Sequence, residues 1–273
     1  MKNLINHHVH TTGSDGKLSP EDTIKLAIEK KLSFICFTDH YPCPEGFDEW
    51  FLDFHSEEYY KKVLKLKEEF KDKIDISFGA EINWIMNYEE WIKTEIKKRE
   101  YDYILGAVHH LGKYNLAINS SEEKWNRLIK EFGSVQELNK EYYYQIRLMV
   151  ESGIFDCVAH FDLVKVWNKN SKYFSEDEEE YKKQVLEVLN KIKKSGICVE
   201  INTSGERKSG ENHPSFWILE QANKMDIPIT IGSDSHSPEQ IDYGLEKAIE
   251  LAKKAGYKSI LKFKNRKAIE IRI

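Results

Sequence analysis

Residues 5–16 read INHHVHTTGSDG, and the fold turns on what that stretch is taken to be. An apolar run emerges here into a Gly-containing loop, carrying three histidines and then an aspartate. Imidazoles fill the bottom of a core poorly, but they hold a metal well at the exit of a strand. On an extended chain His8 and His10 share one face, so two imidazoles can reach a single ion. His7 alternates with them and is expected on the opposite face.

The same pattern recurs along the chain. The runs are NLINHHVH (3–10), LSFICFTDH (32–40), DISFGAEIN (75–83), YDYILGAVHH (101–110), FDCVAHFDLV (155–164), ICVEINTS (197–204) and IPITIGSDSH (227–236). Each is short, nearly continuous in apolar character, and rich in β-branched or aromatic residues, as suits strands covered on both faces. Helical patterns lie between them. Ser19-Pro20-Glu21-Asp22 opens one, with serine as N-cap and proline at the first helical position. Ser237-Pro238-Glu239 opens another, expected to run to Gly256. SEDEEEYKKQVLEVLNKIKKSG (175–196) places acids at its start and lysines at its end, matching the helix dipole. Regular β–α alternation predicts a closed (β/α) barrel in one domain.

Polar residues gather at the carboxyl ends of these runs: His8 and His10, His40, Glu81, His109, His160, then Asp234 and His236. A barrel brings those ends together around one rim, so residues distant in sequence converge on one pocket. One histidine after a strand is ordinarily a hydrogen-bonded structural residue. Six histidines and two carboxylates ending six of seven runs are a site. His7, His55, His110 and His213 are expected to be structural.

Composition narrows the function classes. The 273 residues are 40% hydrophobic, enough for a sizeable core, and 41 basic against 46 acidic residues leave a net charge of -5. That balance predicts no nucleic-acid surface. No stretch approaches the roughly 18 consecutive apolar residues of a membrane span, and the first residues lack the features of a signal peptide. Cys36, Cys157 and Cys198 lie within apolar runs, as buried reduced thiols do, and Cys43 has no C-x-x-C partner. A cytoplasmic protein is expected.

Taken in order, HVHTTGSDG, FTDH, FGAEIN, GAVHH, AHFD and IGSDSH resemble the polymerase-and-histidinol-phosphatase (PHP) metallophosphoesterases, over nearly the whole chain. The resemblance implies a distorted (β/α)7 barrel as a single domain, residues 1–273, with the tail SILKFKNRKAIEIRI (259–273) as a closing strand or rim segment. It also implies three divalent metal ions, with zinc, manganese and iron all compatible with nitrogen and oxygen ligands. His8, His10, Glu81 and Asp234 would hold one ion. Glu81 would bridge to a second, also held by His109 and His160, and Asp15, His40 and His236 would hold the third.

Within the family, AHFDLVK (159–165) and EINTSGERK (200–208) are similar to the branch that hydrolyses L-histidinol phosphate to L-histidinol and phosphate. In that branch an arginine after the sixth strand faces the substrate phosphate, here Arg207. A hydroxide bridging two ions is the expected nucleophile, because a divalent ion lowers the pKa of its water to about 7. Asp162, two residues beyond His160, is expected to be either the general acid or the orienter of a metal-bound histidine. Lys165 is a candidate for added positive charge, or else a solvated rim lysine. Trp84 and the segment Tyr41–His55 are candidates for the aromatic and acidic groups that recognise imidazole and amine, or for packing. The shared metal motifs also admit a nucleotide, an oligonucleotide end or phosphotyrosine as substrate. A metal-binding module without turnover is disfavoured by the complete ligand set.

Overall fold

The apolar runs become strands because their β-branched and aromatic side chains pack on both faces of one sheet. The computed structural model describes residues 4–44, 56–113 and 116–273. Its strands are β1 (Ile5–Val9), β2 (Phe34–Phe37), β3 (Asp75–Asn83), β4 (Tyr103–Ala107), β5 (His110–Leu111), β6 (Leu116–Ala117), β7 (Cys157–Val158), β8 (Cys198–Asn202), β9 (Ile229–Gly232), β10 (Ser259–Lys264) and β11 (Lys267–Arg272). Seven of them form one parallel sheet in the order β1-β2-β3-β4-β7-β8-β9. The sheet closes on itself at its carboxyl end, where the His10 N–H donates to Ser235 O at 2.9 Å and the Ser235 N–H to His8 O at 3.3 Å. This is the expected seven-stranded distorted barrel, and all seven predicted runs contribute a strand.

Helix signals translate with one exception. The Ser19 side chain caps Pro20–Glu29, and Glu179–Ser195 ends at Gly196 in the left-handed region. The helix expected from Ser237 to Gly256 is broken instead. A 3-10 turn at Pro238–Gln240 is followed by left-handed Gly244 and then by helix Leu245–Lys254. Gly244 interrupts the register, and the 241–244 turn is what brings Tyr243 O to Thr203 Oγ1 at 2.7 Å.

The tail neither completes the sheet nor forms its rim. β10 and β11 pair as an antiparallel hairpin laid across the amino ends of the barrel strands. Three aspartates that open strands receive it. Lys262 Nζ reaches Asp75 at 2.8 Å, the Asn265 and Arg266 N–H groups donate to Asp102, and Arg266 Nη2 pairs with Asp156 at 2.9 Å. Phe263 enters from below, its ring 4.9 Å from that of Tyr103. The hairpin thus covers the amino ends of the strands, opposite the carboxyl rim where the predicted ligands gather.

Candidate metal centre

Two strands end early and turn sharply, and this aims their side chains over the barrel mouth. β7 stops at Val158 and β9 at Gly232, and beyond them His160 (φ 24°) and Asp234 (φ 53°) adopt left-handed backbone. Such positions cost of order 1–3 kcal/mol in non-glycine residues and concentrate at functional sites. β1 has a register slip between Asn6 and Val9, so simple alternation fails there. His7 nonetheless stays out of the cluster. It packs on Phe34, Tyr103 and Phe263, bonded to Thr230 Oγ1 at 2.9 Å and accepting the Phe263 N–H.

Glu81, at 1% exposure, lies at the centre. Its Oε2 is 3.3 Å from His8 Nε2, 3.5 Å from His10 Nε2 and 3.0 Å from His40 Nδ1. Its Oε1 is 2.9 Å from His160 Nε2 and 3.6 Å from His109 Nε2. Asp234 Oδ1 faces the first group, 3.6 Å from His8 Nε2 and 3.3 Å from His10 Nε2. Asp15 Oδ2 stands on the outer side, 3.2 Å from His236 Nε2 and 3.9 Å from His40 Nε2. The loop bearing Asp15 folds back tightly, with the Gly16 N–H on Thr11 O at 2.9 Å. A Cβ on Gly16 would lie 2.4 Å from His10 O.

The electrostatics are those of a crowded donor set. Burial works to raise Glu81, yet His8, His40 and His109 hold it well below the carboxylate range. Burial, and then the imidazoles of His236 and His40, push His10 down to about 3. Against burial, its hydrogen bond to Asp15 and the Asp234 carboxylate raise His236 to about 9. Two buried imidazole pairs present Nε2 to Nε2, His8 with His10 at 3.0 Å and His109 with His160 at 3.1 Å. Each pair is close enough to share one N–H···N hydrogen bond or, with both Nε2 atoms deprotonated, to present two lone pairs to one cation. Six imidazoles and three carboxylates around that space are the nitrogen and oxygen donors that divalent zinc, manganese or iron take. Three groups of these side chains come close enough to share an ion: His10, Asp15, His40 and His236; His8, His10 and Glu81; His40, Glu81 and His109. The residues present therefore fit divalent metal.

A family model described as PHP domain matches residues 6–204. The chain belongs to the PHP family. It is 26% identical to the "Probable histidinol-phosphatase" of Deinococcus radiodurans, over 98% of this chain and 99% of that one. It is 27% identical to the histidinol-phosphatase of Bacillus subtilis, over 89% and 97%. The fold matches the crystal structure of histidinol phosphate phosphatase from Lactococcus lactis, solved with zinc, L-histidinol and phosphate. That match has a TM-score of 0.77 and 23% identity, covering 98% of this chain and 99% of that one.

The PHP cluster opens into a cavity of about 550 Å3 whose wall includes Asp15, His40, Glu81, His109, Asp234, His236 and Arg207. Arg207 stands over the Tyr243 ring at 5.4 Å and donates from Nη2 to Asp234 O at 3.3 Å. Three other expectations are corrected by position. Asp162 does not reach the cavity or His160. β7 has already ended, so the i, i+2 relation fails, and Asp162 lies fully buried against His213 Nδ1 at 2.6 Å, the Ser215 N–H at 2.8 Å and Lys165 Nζ at 2.9 Å. Burial would raise its carboxyl, but Lys165 and His213 hold it well below the usual range, which is unsuited to a general acid. Lys165 is neither at the cavity nor on a solvated rim. It sits in a 3-10 turn at 2% exposure, paired with Asp162 and with Glu211 at 2.8 Å. Trp84 is a packing residue, buried edge-on against Phe155 with its Nε1–H on Gln145.

His110, expected to be structural, lines the cavity and lies 2.6 Å from Asn83 Nδ2. His213 is structural, as the partner of Asp162. Of the segment from Tyr41 to His55, Tyr41 donates to Glu95 at 2.7 Å, while residues 45–55 lie outside the described residues. Asp39 points away from the cluster but organises its first loop, accepting from Thr11 N–H and Oγ1, Ser14 Oγ and Tyr59 OH. Sequence reasoning passed over Glu200, which is fully buried against His8. The available signal was one carboxylate inside the apolar run ICVEINTS.

Proposed function

We propose that this chain is a metal-dependent phosphomonoesterase, a single PHP domain over residues 1–273, that hydrolyses L-histidinol phosphate to L-histidinol and phosphate in the cytoplasm. One observation carries the reading: a guanidinium, Arg207, stands at the edge of a buried imidazole and carboxylate cluster, across one cavity. That combination suits a phosphate ester, with metal on one side and a planar cationic fork on the other. The names of the relatives over nearly full length support histidinol phosphate in particular.

His8, His10, Glu81 and Asp234 would hold one ion. Glu81, His109 and His160 would hold a second, and Asp15, His40 and His236 a third, with zinc, manganese or iron as the metal. Bound divalent ions supply a low-pKa water and polarise phosphoryl oxygens. The protein side of the chemistry is positioning. Tyr243 beneath the guanidinium and the Asp234 carbonyl on Nη2 hold Arg207 at the cavity wall, where the rest of its fork would pair with the phosphate. Lys124 and Lys208 on the same wall add positive charge near the ester. Asn83, His110, Asn119 and Ser120 line the part of the wall available to the alcohol group.

The test is a comparison of kcat/KM for histidinol phosphate, nucleoside monophosphates, phosphotyrosine and an aryl phosphate on metal-loaded protein. Histidinol phosphate is expected to lead. A rate no better than that of the aryl phosphate overturns the substrate assignment.

A further inference from the structure

Glu200 occupies the middle of β8, fully buried, with both carboxylate oxygens engaged. Its Oε2 accepts from the His160 N–H and from Asn202 Nδ2, each at 3.0 Å. Its Oε1 lies 2.7 Å from His8 Nδ1. A carboxylate whose oxygens all face donors accepts here as well, so the hydrogen of the His8 ring sits on Nδ1. In the neutral ring that leaves the lone pair on Nε2, the nitrogen turned toward Glu81 and Asp234. The bond to the His160 N–H also supports the left-handed turn that aims His160 at Glu81.

A second feature is built around the same contact. Gly232, the last residue of β9, abuts it from the neighbouring strand. A Cβ there would lie 2.2 Å from Glu200 Oε1 and 2.4 Å from His8 Cβ. The glycine of IGSDSH is therefore the space into which the His8–Glu200 pair fits. Its φ lies outside the left-handed region, so close approach and not backbone freedom demands glycine.

We infer that Glu200 is a positioning residue that sets the tautomer of His8 and the backbone of His160 together, so that one carboxylate outside the cluster prepares two of its metal-facing imidazoles. This rests on the reading of His8 and His160 as ligands. Partners of this kind hold ring orientation and raise ligand basicity, and their loss ordinarily weakens metal binding about 10–100-fold.

The amide of Glu200→Gln cannot serve both sides. If its NH2 meets His8 Nδ1, the hydrogen is driven to Nε2. If it meets the His160 N–H and Asn202, donors face donors. Zinc affinity and stoichiometry are measured by competition with a chromophoric chelator, the His8 tautomer by 15N NMR of the zinc-loaded protein, and folding by circular dichroism. Glu200→Gln is expected to lose about 10–100-fold in zinc affinity and the Nδ1–H signature of His8. Glu200→Asp keeps the charge but withdraws the acceptor by one methylene, and an intermediate affinity is expected. If Glu200→Gln does not fold, a folded Glu200→Asp with weakened zinc binding still supports the inference. Either variant, folded and binding zinc as the parent does, overturns it. A parent that binds zinc but leaves histidinol phosphate intact overturns the proposed function and not this inference.

Discussion

Replacing Asp162 by Asn separates two accounts of this residue. In the structure Asp162 neutralises Lys165, which is 2% exposed, and accepts from His213 and Ser215. Asparagine keeps the shape but removes the charge, and its NH2 must face one of those donors. Breaking a buried pair from one side costs about 3–5 kcal/mol. The lower end applies, because Glu211 still reaches Lys165 at 2.8 Å. Unfolding entropy for 273 residues comes to about 0.6 kcal/mol per kelvin, so about 3 kcal/mol lowers Tm by roughly 5 °C. The melt is followed by calorimetry on metal-loaded protein, and kcat is measured well below the transition, where it should change little. Adding Lys165→Met removes the stranded ammonium and should recover much of the lost stability. An unchanged Tm with kcat lowered by about 10²–10⁴, the range for a lost general acid, would refute the structural role.

Other substitutions probe the rest of the site. Arg207→Ala should lower kcat/KM for a phosphomonoester by about 10–150-fold, equivalent to about 1.5–3 kcal/mol for a charged hydrogen bond, with metal content unchanged by elemental analysis. Arg207→Lys should recover little of it, since the planar fork is lost. Alanine at His10 or at Asp234 should abolish phosphate release while far-UV circular dichroism persists; retained turnover would sink the proposed ligand set. Removing metal with a chelator should stop hydrolysis and lower Tm, because ions that bind only the folded state stabilise it by mass action, and adding zinc or manganese back should restore both.

How much of this was legible in the chain divides along a physical line. Seven strands, their parallel order and the convergence of His8, His10, His40, Glu81, His109, His160, Asp234 and His236 follow from local pattern plus one rule of barrels, that strand ends meet at a rim. Arg207, which lines the cavity, was singled out only through the resemblance of the NTSGERK stretch to one branch of the family. What the chain alone left undecided depends on where each strand stops and on what approaches from elsewhere. Asp162 and Lys165 looked like site residues only while AHFDLVK was one strand. β7 ends at Val158, and the turn that aims His160 at Glu81 sends Asp162 to His213 instead. The tail became a floor and not an eighth barrel strand, because Asp75, Asp102 and Asp156 meet Lys262, Asn265 and Arg266 across 110 or more residues of sequence. Glu200 and Gly232 read locally as an odd charge and an ordinary glycine, and their meaning exists only where β8, β9 and β1 crowd together. Periodicity carries the direction of a side chain within one element, whereas contact between elements is set by strand ends, turns and close approach, which packing of the whole barrel decides.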